Sequence, residues 1–328
     1  MHTPGDWPIT IADALAAERR IRPWVAETPL RRYATLDAAV GLGIEVHVKH
    51  ENLAPTGSFK VRNAFAVLTA LTPEERRRGV VAATRGNHGL GLACAGAALG
   101  VPVVVCVPRG NNPEKNAGMR GFGAELVEDG RDYDEAVEIA ARLAAGRALR
   151  VVHSTNEPGV LAGAATVALE ILHRAPELDS LVLSVGGGSQ AVGALTVARA
   201  WKPELEVFAV QAAGAPAVHD SWHAGAPRPA ASADTFADGL ATRSVSALTF
   251  DAMRRGLAGF VTASESGIAG ALRLLLETTH TLAEGAGAAG LAGLFALRER
   301  LAGRRVGIVV SGANIDRATL ARVLAGEI

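Results

Sequence analysis

Short runs that are apolar on every face recur along this chain, and they limit its fold more than any other feature. VVAA (80–83), VPVVVCVP (101–108), SLVLSV (180–185) and RVGIVVSG (305–312) all lack the polar–apolar alternation of a half-exposed strand. Strands of that kind are covered on both sides, as in a parallel sheet flanked by helices. AELVEDG (124–130), RVVHS (150–154) and EVFAVQA (206–212) read as further strands. Helical segments lie between them. TPEERRRG (72–79) places Thr72 as N-cap, Pro73 at the first helical position and Glu74 and Glu75 in the first turn. GLGLACAGAALG (89–100), NPEKNAGMRGFG (112–123), DYDEAVEIAARLAAG (132–146), VLAGAATVALEILHRA (160–175) and AVGALTVARAWK (191–202) continue the alternation. β-α-β-α order with short connections predicts an α/β fold of two doubly wound open-sheet domains, with a site in the cleft between them. The smaller domain is expected at 56–154, and the larger at 1–55 plus 155–328. Residues 213–235, rich in Ala, Pro and Gly, read as irregular structure forming a lid or rim.

Charge narrows the ligand class. Lysine plus arginine (33) balances aspartate plus glutamate (33), so no basic footprint points to nucleic acid or an anionic membrane. No apolar run approaches the roughly 18 residues of a membrane span. The N-terminal MHTPGDWPITIADALAAERR lacks the basic-then-apolar order of a leader peptide. Cys94 and Cys106 sit in apolar runs without C-x-x-C spacing, which fits buried thiols in a reducing cytoplasm.

Four turns at strand ends carry unusual residues. In APTGSFKVRNAF (54–65), Lys60 follows a Pro/Gly turn and opens an apolar helical run. An amine near a positive helix end and apolar neighbours loses basicity, which suits Schiff-base formation with a carbonyl cofactor. ATRGNHGLG (83–91) precedes a helix and could cradle a carboxylate, with Asn87 as a neutral hydrogen-bonding group; His88 alone reads more readily as structural. SVGGGSQAVG (184–193) sends three glycines from a strand into a helix. It matches neither a P-loop nor a dinucleotide fingerprint, so a monophosphate is the better fit. In VVSGANID (309–316), Ser311 leaves a buried strand, where it either caps a helix or meets a ligand heteroatom. Together the four describe a site for pyridoxal phosphate and an amino acid.

These residues resemble the fold-type II pyridoxal-phosphate enzymes, nearest the serine/threonine dehydratases and serine racemases. TPL (28–30), VHVKHENLAPTGSFKVRNA (46–64), RGNHGLGLA (85–93), VGGGS (185–189), ADGLA (237–241), EGAGAAGLA (284–292) and SGANID (311–316) fall in the family's order and span nearly the whole chain. The resemblance implies Lys60 as the cofactor-bound lysine and catalytic base, with Phe59 against the ring. It places Asn87 at the pyridine 3-hydroxyl, Gly186, Gly187, Gly188 and Ser189 at the phosphate, Ser311 at the pyridine nitrogen and Glu284 among the cofactor contacts. Ser58, Thr84, Arg85, Gly86, Asn87, His88 and Gly239 are the implied substrate contacts. The implied reaction is β-elimination from a β-hydroxy amino acid such as threonine or serine, giving a 2-oxo acid and ammonia. The alternative is a dehydratase specific for a larger or anionic β-hydroxy amino acid such as 3-hydroxyaspartate, phenylserine or a hydroxyectoine-derived amino acid. A ligand-binding protein without catalysis is the reading from another class, and it would not need Lys60.

The chain departs from the family at three places. Arg85 stands where the family has a serine that acts on the opposite face in racemases, which argues against racemisation and leaves an arginine either to clamp an anionic or bulky β-substituent or to point outward. Gln211, Ala215 and Ala217 occupy the place of an acidic divalent-cation site, and an amide and methyl groups are poor ligands for a hard cation, so no metal is expected. Ser189 replaces the fourth glycine of the phosphate loop. The chain ends soon after SGANID, which favours a catabolic role without isoleucine feedback, and the fold commonly forms homodimers.

Overall fold

Each apolar run becomes a strand with a parallel neighbour on at least one side. The computed structural model describes residues 7–131 and 133–328. Residues 1–6, which open the segment judged not to be a leader, and Asp132 of the DYDEAVEIAARLAAG run lie outside the described residues. One sheet holds β1 (Leu30–Arg32), β2 (Glu45–Lys49), β7 (Ser180–Ser184), β8 (Glu206–Ala212), β9 (Gly259–Ala263) and β10 (Arg305–Val309), in the order β1-β2-β10-β7-β8-β9. Only β1 runs antiparallel to its neighbour in it. The other sheet holds β3 (Val80–Ala83), β4 (Val103–Val107), β5 (Glu125–Glu128) and β6 (Arg150–Val151), all parallel, in the order β5-β4-β3-β6.

The helices around them are α1 (Ile11–Ile21), α2 (Ala34–Val40), α3 (Lys60–Leu68), α4 (Pro73–Arg78), α5 (Asn87–Leu99), α6 (Pro113–Gly121) and α7 (Tyr133–Arg147). They continue as α8 (Pro158–Arg174), α9 (Ser189–Trp201), α10 (Ala217–Ala224), α11 (Ala247–Gly256), α12 (Glu265–Thr279), α13 (Gly285–Leu297) and α14 (Arg317–Leu324). Burial on both faces explains the apolar strands directly. Val81, Val104 and Cys106 pack under α7, while Val80, Ala82, Val103, Val105 and Val107 join the central core. In β7 and β8, Leu181, Leu183, Val207 and Ala209 face that core, and Val182, Phe208 and Val210 face a second one with α12 and α13.

Two sequence expectations change. The expected strand RVVHS pairs through Arg150 and Val151 alone, and the chain then turns away toward the cleft. The segment 213–235 is not wholly irregular, because it contains α10. Its start is stabilised from a distance: Gln211 Oε1, at the end of β8, accepts from the amides of Val218 (3.1 Å) and His219 (3.0 Å). A cap supplied by another element leaves no local signal in the helix itself.

Helix α3 is the element that positions the site, and it is held on three sides. Close packing against α5 and α8 is possible only through glycine: a Cβ at Gly91 would stand 2.8 Å from the Lys60 carbonyl oxygen, and one at Gly163 would stand 2.7 Å from that of Arg62. A buried ion network supplies the third hold. The Arg62 guanidinium donates to Glu51 (2.8 and 2.9 Å) and to both oxygens of Glu170 (2.8 Å each), while Lys49 Nζ donates to Glu170 (2.6 Å) and to the Thr28 carbonyl (2.7 Å). Desolvation opposes each of these charges, and fork-to-carboxylate pairing offsets it. Removing one partner strands the others in a dry interior. Arg62→Ala is therefore expected to lower the unfolding free energy by about 3–5 kcal/mol, read from the urea midpoint; a change below about 1 kcal/mol would mean that the network is not a structural clamp.

Candidate active site

The turn before Lys60 is sewn to the loop that follows β10. Phe59 N donates to the Ser311 carbonyl (3.1 Å), Ala313 N donates to the Gly57 carbonyl (2.8 Å), and Ser58 forms an isolated antiparallel bridge with Gly312. Two segments some 250 positions apart in the chain are thereby fixed side by side. Lys60 then opens α3 with its amine in the cleft, 4.9 Å from the centre of the Phe59 ring. Burial lowers its pKa from 10.5 to about 8, against the opposing charge of Glu284.

Glu284 is the end of a polar relay. Asn314 Nδ2 donates to Asn87 Oδ1 (2.7 Å), and Asn87 Nδ2 donates to Glu284 Oε1 (2.6 Å). Burial raises the Glu284 pKa to about 7, with Lys115 and the Asn87 bond pulling the other way. Asn87 is thus held in place with one amide hydrogen left for a ligand. It also opens α5, whose first turn lines the cleft. Thr84 Oγ1 takes the Gly86 amide (3.0 Å), which shapes the turn ahead of that helix. His88 behaves as the structural reading expects: a ring nitrogen lies 3.0 Å from the Val152 carbonyl, and burial drives its pKa down to about 3, so the ring is neutral.

The glycine run leaves β7 and enters α9. Gly188 adopts φ +93° at the N-cap position, and a Cβ there would lie 2.7 Å from Met253 Sδ. A Cβ at Gly187 would overlap Thr155 Oγ1. The hydroxyl of Thr249 donates to the Gly187 carbonyl (2.7 Å), turning that carbonyl away from the amides. Bare backbone N–H groups at a helix start result.

A cavity of about 680 Å³ collects these elements. Phe59, Lys60, Thr84, Arg85, Gly86, Asn87, His88, Gly186, Gly187, Gly188, Ser189, Gly239, Glu284 and Ser311 all line it. Ser58 does not; it is fully buried behind the cavity wall, and its hydroxyl has no partner among the described residues. Residues missed by sequence reasoning also face the cavity, notably Lys115, Tyr133, His153, Thr155, Gln190 and Asp238. Lys115 Nζ donates to Asp238 (2.8 Å), joining α6 to the short turn Asp238–Leu240 across the cleft. Pro229–Ala233 form part of the rim, from the segment expected to do so. Gln211, where an acidic divalent-cation ligand would stand in the family, is occupied as the α10 cap.

Residues 21–312 match the family pattern of pyridoxal-phosphate dependent enzymes. The chain belongs to that family. It is 36% identical, over 96% of its length and 78% of the relative's, to an L-threonine ammonia-lyase of Thermotoga maritima. It is 32% identical, over 96% of its length and 98% of the relative's, to an L-threo-3-hydroxyaspartate ammonia-lyase of a Pseudomonas species. Among solved structures it resembles serine racemase of Dictyostelium discoideum, with a TM-score of 0.88 at 30% identity, covering 94% of this chain and 99% of that one.

The residues present fit pyridoxal phosphate. Both polar atoms of the Gln190 amide are buried in the cavity wall without a partner among the described residues, beside a cradle that a Cβ would fill. An anion with several acceptor oxygens takes the hydrogens of Gln190 Nε2 and fills the cradle. Only the neutral Lys60 amine can attack the aldehyde of pyridoxal phosphate, so uptake by apoprotein is expected to speed up with a midpoint near pH 8 rather than near 10.5. Glu284→Gln removes the negative charge that helps to keep Lys60 protonated, and should move that midpoint to lower pH. A midpoint above about 10, or no shift in the variant, would contradict the burial argument.

Proposed function

We propose that this chain eliminates the β-hydroxyl of a β-hydroxy amino acid, releasing a 2-oxo acid and ammonia as a pyridoxal-phosphate-dependent ammonia-lyase. The observation that carries this reading is the poorly basic amine of Lys60 in the same cavity as the glycine cradle and the N-terminus of α5. The names of the threonine and 3-hydroxyaspartate ammonia-lyases support the substrate class.

Pyridoxal phosphate, when bound, supplies the electron sink that stabilises negative charge at the substrate Cα. The chain's residues do the rest. The bare amides of Gly186, Gly187, Gly188 and Ser189 would hold the phosphate, with Gln190 donating from its side chain. The first amides of α5 take the α-carboxylate, where the helix end favours an anion. Asn87, fixed between Glu284 and Asn314, orients the ring edge. Lys60 removes the Cα proton at Nζ as general base, a role suited to an amine whose pKa lies near 8. Ser311 presents a neutral hydroxyl at the end of β10 and, unlike a carboxylate, does not stabilise a protonated ring nitrogen. Loss of the β-hydroxyl therefore competes well against transamination. Overall, one Cα proton and one hydroxide leave, and water later returns as the enamine product hydrolyses.

We also divide the chain into a small domain at 56–154 and a large one at 1–55 plus 155–328, because strands within 80–151 form one sheet and those within 30–49 and 180–309 form the other. A cytoplasmic homodimer fits two free thiols and, among the described residues, no helix long and apolar enough to cross a membrane. Light scattering on the holoenzyme tests the dimer.

The reaction is tested by scoring ammonia and 2-oxo acid over a panel of β-hydroxy amino acids. Lys60→Ala should lower turnover by about 10²–10⁴-fold. A yellow, loaded protein that releases 2-oxo acid from none of them would overturn the proposal. Chelator treatment should leave the rate unchanged, since Gln211 is a neutral cap; a rate restored only by Mg²⁺ or Ca²⁺ would contradict the metal-free assignment.

A further inference from the structure

Arg85 lies two residues before the helix that would receive the substrate α-carboxylate, and its position asks for a second anion. Arg85 is exposed, lines the cavity and makes no ion pair among the described residues. Other charges in the cavity wall, Arg243 among them, have partners or roles of their own. Lys115 is bound to Asp238 at 2.8 Å, Lys60 is the reactive amine, and Glu284 is bound to Asn87. The neutral histidines do not compensate Arg85 either. His88 is held by the Val152 carbonyl, and His153 Nδ1 accepts the amides of Thr155 (3.0 Å) and Asn156 (2.9 Å).

The wall beside Arg85 is polar. Tyr133, at the start of α7, is hydrogen-bonded to Ser154, and the Arg85 charge acts on the Tyr133 hydroxyl. Both residues line the same cavity. A guanidinium next to a phenol hydroxyl and a serine matches a carboxylate, which accepts a planar fork of donors and a further O–H. A phenyl substituent can stack on the guanidinium but accepts none of its N–H groups in the plane of the fork. The two cationic features, the α5 amides and Arg85, are adjacent in sequence and open onto one cavity, as the two carboxylates of one small molecule require.

We propose that Arg85, assisted by Tyr133, forms a subsite for a second carboxylate, so that the preferred substrate is a dicarboxylic β-hydroxy amino acid. This rests on the lyase reading above and deepens it. Arg85 acts here as a specificity residue; it takes no part in moving the Cα proton. The Lys115–Asp238 pair bridges the cleft within the same cavity.

The experiment compares kcat/KM for 3-hydroxyaspartate, serine, threonine and phenylserine in wild type, Arg85→Ala, Arg85→Lys and Tyr133→Phe, each checked for its cofactor absorbance. The wild type should favour 3-hydroxyaspartate. Arg85→Ala should lower the ratio of 3-hydroxyaspartate to serine by about 10–150-fold, the worth of hydrogen bonds to a charged group. Arg85→Lys should recover part of that ratio, and Tyr133→Phe should lower it less. A second readout needs no turnover: succinate should perturb the cofactor absorbance of wild-type holoenzyme at concentrations where acetate does not, and Arg85→Ala should abolish the difference. A ratio unmoved by Arg85→Ala, or a wild type that prefers serine, threonine or phenylserine, overturns the subsite and leaves the lyase intact. If no β-hydroxy amino acid yields a 2-oxo acid, the lyase reading fails instead, and the succinate comparison still decides the subsite: equal responses to succinate and acetate overturn it.

Discussion

The hydrogen bond from Phe59 N to the Ser311 carbonyl is the contact on which the rest of the site depends. It joins the turn that delivers Lys60 to the end of β10, and with the neighbouring Gly57–Ala313 bond it acts as a short piece of sheet between distant segments. Without it the amine and the serine hydroxyl would belong to separate loops. With it, the side chains of Lys60 and Ser311 face one cavity. The clamp on α3 completes the arrangement, since Gly91, Gly163 and the Arg62 network leave that helix little freedom to slide. Rigid elements, rather than loops alone, therefore set where the base stands.

Electrostatics follow from this packing. Lys60 and Glu284 share a dry cleft, and burial pushes each toward its neutral form, the amine to about 8 and the carboxyl to about 7. The two groups oppose each other's shift through their charges. A base that is partly neutral near physiological pH and half neutral at about 8 is the consequence. The relay from Asn314 through Asn87 to Glu284 ties the same carboxyl to the element that receives the substrate.

Much of this was legible in the residues, for physical reasons. Strands buried on both faces must be apolar throughout, so VPVVVCVP and SLVLSV announced a covered sheet. A phosphate held by backbone amides needs bare glycines, and a Schiff-base lysine needs a helix start with apolar neighbours. What stayed hidden was closed by tertiary contact. Lys115 and Asp238 sit far apart in sequence with ordinary charged neighbours, and only the cleft brings them within 2.8 Å. Tyr133 looked like one more residue of an amphipathic helix. Helix α10 was read as loop because its cap, Gln211, belongs to β8. Ser58 carries a family motif, yet its side chain faces the protein interior. Arg85 was visible as a departure from the family, but the polar wall beside it was not.

The central claim is that the buried amine opening α3 is the group that holds pyridoxal phosphate and works on the substrate. Borohydride reduction of the yellow holoenzyme, followed by peptide mapping, tests it most directly. The account predicts a single modified tryptic peptide, HENLAPTGSFKVR (50–62), with the label on Lys60 and no label when the cofactor is removed beforehand. A label on Lys49, Lys115 or Lys202, or no covalent label on a protein that still binds the cofactor, would contradict it.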